Sequence, residues 1–239
     1  MKNLFALILS AIVFIACNDG YSVKGTIATE VLDGRNVYIK RNIDNTFVII
    51  DSCKITHSTF ELTGKADSSH MVALYIDDTP IIPFVAERGR MEIDIQEAGV
   101  TIKGTPLNDK LNSLMREQAE LEKRMNRFER IETAMILEGS TAEAAQAYVS
   151  DSIDAIGAAM EMLMNGYIRK NFDNVLGPCV FALMYSAMPI PLMNDDLESL
   201  YNDAPVTFRN DAFVKKFYNV ARENARRLEN GTLQQNFLE

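Results

Sequence analysis

The 239-residue chain has no tryptophan, two histidines and three cysteines, and no Cys-x-x-Cys pair. Each scarcity removes a class of chemistry. Without paired cysteines there is no thioredoxin-type redox centre. A metal site needs three or four converging ligands, and His57 and His70 are the only imidazoles. Basic clusters are missing too. The formal net charge is −9, and the nearest approaches to a cluster are Lys215-Lys216 and Arg226-Arg227. Nucleic-acid binding is excluded on that ground, because neutralising phosphates requires a positive face. The chain also lacks a phosphate loop, a serine nucleophile elbow and a zinc-protease helix. No cofactor, no metal and no enzymatic activity are expected.

Long apolar runs are scarce as well, with one exception. Residues 4–16 are apolar apart from Ser10, Lys2 precedes them, and Ala16 leads into Cys17. The run is too short for a resident membrane helix and fits the apolar region of a signal peptide. Ile15-Ala16-Cys17 matches a relaxed lipobox, with Phe14 where leucine is commoner. An ordinary secretory signal cut nearby is the alternative. The expectation is a signal peptide over 1–16 and lipid on Cys17. That places the protein in the cell envelope, at the outer membrane in preference to the inner. Its first partner is then the membrane, reached through several acyl chains and not through charge; an envelope protein is the second.

Cys53 and Cys179 remain. They are far apart in sequence, and nothing in their spacing says whether an oxidising envelope would join them. Two free thiols, one on a strand and one on a helix, is the simpler reading.

From Tyr21 to about Gly104 the chain reads in period two. Val23, Gly25 and Ile27 form one run, Val37 and Ile39 another, Phe47 and Ile49 a third, Phe60 and Leu62 a fourth. Met91, Ile93 and Ile95 alternate with Glu92, Asp94 and Gln96, the signature of a half-buried strand. Asp33-Gly34 suits a tight hairpin, and residues 42–45, 65–69, 77–80 and 87–89 supply the other breaks. Residues 81–85 are apolar on both faces, which argues for a central strand, while Pro83 argues for an edge or a bulge. These runs predict an antiparallel β-sandwich or partly open barrel over 17–104.

At Thr105 the period changes. Thr105 offers an N-cap hydroxyl, Pro106 the first helical position and Asp109 a first-turn charge. Leu107, Leu111, Leu114, Leu121, Met125, Phe128 and Met135 form one apolar stripe, predicting a single helix to Leu137. Gly139-Ser140-Thr141 ends it and caps a second helix carrying Tyr148 or Val149, Ile153, Ile156, Met160, Leu163 and Tyr167. The pair predicts an antiparallel helical hairpin. After Gly177-Pro178 a short helix over 179–187 is expected, then a rigid Met188-Pro189-Ile190-Pro191 break. Asn194 caps an acidic helix to Tyr201, and Asn210 or Asp211 caps the last one, stopped by Asn230-Gly231. The overall class is α+β, with an all-helical region over 105–229 and a tail over 230–239.

With these elements placed, a resemblance comes into view. Val23-Lys24-Gly25-Thr26-Ile27, Val37-Tyr38-Ile39, Ile50-Asp51-Ser52 and Phe60-Glu61-Leu62-Thr63-Gly64 occur in order, followed by Gly104-Thr105-Pro106-Leu107-Asn108-Asp109 at the sheet-to-helix junction. In that order the phrases resemble a Bacteroidota lipoprotein family, the domain of unknown function numbered 4369. Residues 171–177 look like the Asn-rich turn of its helical segment, so the resemblance covers nearly all of the mature chain. The family places this region before a thioredoxin-like domain, where a Trp-Cys-x-x-Cys motif carries the chemistry. Neither that motif nor any tryptophan occurs here. The resemblance therefore implies the non-catalytic part of the architecture, whose role would be recognition or spacing near thiol-redox machinery.

The remaining candidates each have a plain structural explanation. A Cys53–His57 pair would activate a thiolate, but four residues of strand span roughly 13 Å. Asp77-Asp78 and Asp195-Asp196 read as turn and helix-start groups. Asn108 and Asp109 read as first-turn helix electrostatics, with a ligand contact as the alternative. Three functions follow from all this. The first is a non-catalytic envelope lipoprotein that binds a protein or ligand. The second is a redox protein cycling Cys53 and Cys179, which requires their α-carbons within about 7 Å. The third is a glycan-binding surface lipoprotein using Tyr38, Tyr75 or Phe84 in a groove.

Overall fold

A computed structural model of the chain describes residues 20–43, 46–186 and 188–231. The expected signal peptide 1–16, the lipidation site Cys17 and residues 232–239 of the tail lie outside these. Among the described residues, eight strands precede seven α-helices: β1 Gly20–Ile27, β2 Asn36–Ile43, β3 Thr46–Lys54, β4 Thr59–Lys65, β5 His70–Ile76, β6 Thr79–Ala86, β7 Gly89–Gln96 and β8 Gly99–Lys103, then α1 Pro106–Met125, α2 Phe128–Leu137, α3 Ala142–Lys170, α4 Leu176–Tyr185, α5 Asp195–Asp203, α6 Val206–Arg209 and α7 Ala212–Glu229. The strands form two four-stranded sheets, ordered β4-β1-β7-β8 and β3-β2-β5-β6. They stack as an open sandwich, and the α+β class stands. One pairing is not antiparallel: β1 and β7 run parallel, Tyr21 opposite Gly89. The inward residues of both sheets, among them Val23, Ile39, Leu62, Leu74, Phe84 and Ile93, share one core.

The structure corrects several details of the strand reading. Asp33-Gly34 does not turn a hairpin. It follows a single 3-10 turn, Glu30–Leu32, that carries the chain from the first sheet to the second. The tight turn lies instead at His57-Ser58, both with positive φ (50° and 56°), between the bridged pair Thr56 and Thr59. Neither residue is a glycine or asparagine, the usual occupants of such a turn. Asp33 props it from outside: its two carboxylate oxygens accept the His57 and Ser58 N–H groups, each at 2.8 Å. Replacing Asp33 with alanine removes two charge-assisted hydrogen bonds from a strained, solvent-exposed turn, at a cost of about 2 kcal/mol. Changing His57-Ser58 to Asn-Gly in that background should restore most of the loss in urea unfolding. No restoration would mean that Asp33 acts elsewhere.

Residues 81–85 lie on an edge strand, since among the described residues β6 pairs with β5 alone. Pro80 and Pro83 are tolerated there because an edge residue need not donate to a second neighbour. Phe84 is buried in the core, which removes it from any exposed aromatic platform. Residues 47–50 are all exposed, and the β2 residues opposite 47–49, Asn42, Arg41 and Lys40, are not buried either; the alternation on β2 is confined to 36–39, opposite 51–54. The outer end of the β2–β3 hairpin runs past the core.

In the helical region the long first helix is two helices, α1 and α2. At Asn126-Arg127 the bonds tighten, with the Arg127 N–H reaching Arg124 O. Asn is a poor helix-interior residue because its side chain competes for the main chain. Thr141 caps α3 as expected, accepting the Ala144 N–H at 3.2 Å. On α3 Val149 turns inward while Tyr148 and Ile153 stay exposed, so the inner stripe is narrower than the sequence suggests. The helix α4 starts at Leu176 and not Cys179. It takes Pro178 into its first turn, where no intrahelical N–H is needed. Asn194 caps α5 and Asp211 caps α7. A second core, built on Phe181, Tyr185, Phe208 and Phe217, joins α3 through α7.

Candidate functional site

Three places hold the residues singled out by the sequence: the sheet-to-helix joint, the outer face of the second sheet, and the two thiols.

The joint is built by Gly104-Thr105-Pro106-Leu107-Asn108-Asp109. Gly104 has φ +106° and lies so close to β7 that a Cβ would stand 2.6 Å from Arg90 O, so only glycine fits. Thr105 occupies the N-cap position without capping by its side chain. That task passes to Glu87, from the turn between β6 and β7. Its buried Oε1 accepts the Leu107 N–H at 2.9 Å and the Asn108 N–H at 3.2 Å. A carboxylate against the free amides of a helix start is favoured by hydrogen bonding and by the helix dipole. Asp109 turns back to accept the Gly104 N–H at 2.9 Å.

Asn108 is fully buried. Its Oδ1 accepts the Val85 N–H at 2.8 Å, and its Nδ2 donates to Val85 O at 2.8 Å and to Thr105 Oγ1 at 2.8 Å. The amide thus pairs with the open edge of β6 as a neighbouring strand would. It is a structural clamp, and first-turn helix electrostatics is the wrong account of it. Its polar atoms are spent and none faces a ligand. A similar knot lies at residues 171–177. Asn171 is buried and its Nδ2 donates to Tyr167 O, Asn174 donates to Asn171 Oδ1, and Leu176 N–H donates to Asn174 Oδ1.

On the outer face of the second sheet, Tyr38 and Tyr75 stand directly opposite each other on β2 and β5. The Lys40 ammonium lies 4.2 Å from the Tyr75 ring centroid and 5.4 Å from that of Tyr38. Phe47 meets Tyr75 edge-on at 6.1 Å. Sequence reasoning named both tyrosines but missed Phe47 and Lys40. The cross-strand pairing that assembles the four leaves no trace in local periodicity.

Cys53 and Cys179 are free thiols. Cys53 packs against the sandwich core on β3, whereas Cys179 lies on α4 beside Tyr167, in the helical region. Burial pushes both thiols above their ordinary range, the opposite of an activated thiolate. Alkylation by iodoacetamide at pH 8 should therefore be slower for both than for free cysteine, and should climb steeply toward pH 10. Rates equal to free cysteine at pH 8 would contradict the burial argument. His57 lies in the propped turn and is exposed, while Cys53 packs against the sandwich core. His70 is held below its ordinary range by burial and by the Arg41 charge. Asp77 binds Arg35 at 2.8 Å and takes the Asn36 N–H, and Asp195 and Asp196 start α5. Among the described residues no group of three or more His, Cys, Asp or Glu side chains is placed to hold a metal, and no helix is long and apolar enough to cross a membrane.

Fold and joint together define a class: an open two-sheet sandwich whose β6 edge is clamped by the first turn of a helical region. Residues 21–111 match the family model described as "Domain of unknown function (DUF4369)". The match runs from the start of β1 to Leu111, just past the clamp. It takes in Gly25, Gly64 and Asn108 but stops short of residues 171–177, so the matched segment is the sandwich with its joint and not the helical region beyond α1. No curated protein and no solved structure matches the chain.

Proposed function

We propose that the protein is a non-catalytic, lipid-anchored module of the cell envelope that works by contact with a partner protein, beside thiol-redox machinery. One observation carries the reading. The arm formed by α1, α2 and α3 leaves Met125, Leu137, Tyr148, Ile153 and Met162 exposed, while the polar side chains of the joint are spent on the main chain. Exposed large apolar side chains along a helical arm offer contact points for a partner. Methionines adapt well to a partner's contours. The lipid at Cys17 supports the same reading by confining the arm to one surface.

The test uses the full chain in cells. A photo-crosslinking side chain at Met162 should give a discrete adduct, whereas one at Val206, exposed on α6, should not. Palmitate should label the chain and be lost on Cys17→Ser. Equal or absent adducts at the two positions would sink the docking reading, and absent labelling would sink the anchor. Turnover in insulin reduction, abolished by Cys53→Ser, would replace both with redox chemistry.

A second reading has a specific observation behind it. The Tyr38, Tyr75, Phe47 and Lys40 cluster offers three aromatic rings and a cation on an open sheet face, a platform on which a sugar ring can stack. Glycan-array binding lost on both Tyr38→Ala and Tyr75→Ala would favour it.

A further inference from the structure

We infer that the outer end of the β2–β3 hairpin rests in the headgroup layer of the membrane beside the N-terminal anchor, as a second, non-covalent attachment. This contact rests on the proposed lipid at Cys17, and the experiment below separates the two.

The hairpin is apolar where it leaves the core. Phe47 is 57% exposed, Ile49 53%, and Ile43, Val48 and Ile50 are exposed as well. Four consecutive exposed apolar residues put greasy side chains on both faces of one strand. A soluble edge strand avoids this, usually with charge or proline.

The register places that end. Asn36, which opens β2, pairs with Lys54 near the His57-Ser58 turn, where β1 also finishes. β2 runs away from that turn and β1 runs toward it. Gly20, the first residue of β1, therefore lies at the end from which the hairpin projects. The Tyr21 hydroxyl marks the level by donating to Asp51 Oδ2 at 3.2 Å. From Asp51 back to Thr46 is five residues of strand, roughly 17 Å of contour. From Tyr21 back to Cys17 is four residues, which span at most about 14 Å. A lipid on Cys17 would therefore be tethered close to the end of the sandwich from which the apolar hairpin projects.

The flanking residues suit an interface. Lys40, Arg41 and Lys65 belong to this end of an otherwise acidic protein, with Lys65 opposite Gly20. The Asp51 carboxylate is turned inward onto Tyr21. Tyr38 and Tyr75 stand at the base of the hairpin, behind the exposed run, where the Tyr75 ring meets Phe47 edge-on. Asp44 lies between the two strands in sequence, so the contact is with the interface and not the hydrocarbon core.

The lack of tryptophan makes the test clean, because a single introduced indole is the only one that emits. Full-length lipidated chains carrying Phe47→Trp, or Val31→Trp at the opposite end, are each reconstituted on phosphatidylethanolamine and phosphatidylglycerol vesicles with and without brominated acyl chains. Emission from the Phe47→Trp chain should shift to the blue and be quenched several-fold by bromolipid, and the Val31→Trp chain should show neither. In the Cys17→Ser background, Phe47→Ser with Ile49→Ser should weaken vesicle binding by roughly tenfold. If palmitate labels the chain but the two indoles behave alike, the hairpin contact fails and the anchor survives. If palmitate is absent and added vesicles still quench the Phe47→Trp chain selectively, the anchor fails and the hairpin contact stands. Blue-shifted emission from Phe47→Trp without vesicles, in a chain that sediments as a dimer, would assign the strand to a second copy and overturn the inference.

Discussion

Replacing Asn108 with alanine should lower the midpoint of thermal unfolding by about 6–12 °C. The substitution removes one amide but orphans two buried main-chain groups, the N–H and C=O of Val85, and strips the Thr105 hydroxyl of its donor. Each unpaired buried group costs about 1–3 kcal/mol, so the total is about 3 kcal/mol. For a chain of this size each kcal/mol moves the midpoint by about 2–4 °C. Asn108→Asp discriminates between mechanisms. It is nearly isosteric and keeps an acceptor for the Val85 N–H, yet it loses both donors and brings a second carboxylate toward Glu87. If shape mattered most, aspartate would be benign. If the paired amide matters, aspartate is at least as damaging as alanine. Calorimetry on the three chains settles it, and a midpoint within about 2 °C of wild type for alanine, below what even one lost kcal/mol gives, would remove the clamp from the account of this fold.

The clamp shows where sequence reasoning stops. Asn108 stands three residues after an N-cap position, where a polar side chain needs no tertiary explanation. Its burial depends on β6 arriving from some twenty residues upstream, and no periodicity records that arrival. Local chemistry fared better. The alternation from Met91 to Gln96, the Gly139-Ser140-Thr141 break and the caps at Asn194 and Asp211 all depend on neighbours within a few residues, and all are found in place. The tight turn failed in an instructive way. Its conformation normally demands Asn or Gly, and Asp33, more than twenty residues away, substitutes for that demand with two hydrogen bonds. The parallel pairing of β1 and β7 failed for the same reason, since register between distant strands is set by packing. The exposed run at 47–50 is the converse case. Apolar residues are read as core, and only the extent of the opposing sheet shows that they lie beyond it.

Gly25→Ala should be among the most damaging single-methyl additions in the sandwich. Gly25 on β1 faces Phe60 on β4, and an added Cβ would fall 2.0 Å from the ring atoms. The ring lies flat over the glycine and fills the core there, a known device for tolerating glycine in a strand. A methyl group expels the ring, so the cost approaches that of losing a buried phenylalanine, about 3–5 kcal/mol. Gly64 repeats the arrangement in reverse, lying under the Tyr21 ring. There a methyl group would also pull the Tyr21 hydroxyl from Asp51 and loosen the base of the β2–β3 hairpin. The two pairs lock the β1–β4 register from both ends, and a slip of one residue would put both rings over occupied positions. A double-mutant cycle tests the mechanism. Gly25→Ala and Phe60→Ala should each be severe alone, yet Gly25→Ala should cost little once the ring is gone, a coupling of at least about 2 kcal/mol. Additive losses in urea unfolding would mean that the glycine is needed for backbone conformation. The φ of Gly25 does not lie in the left-handed region, so such additivity would contradict the packing account outright.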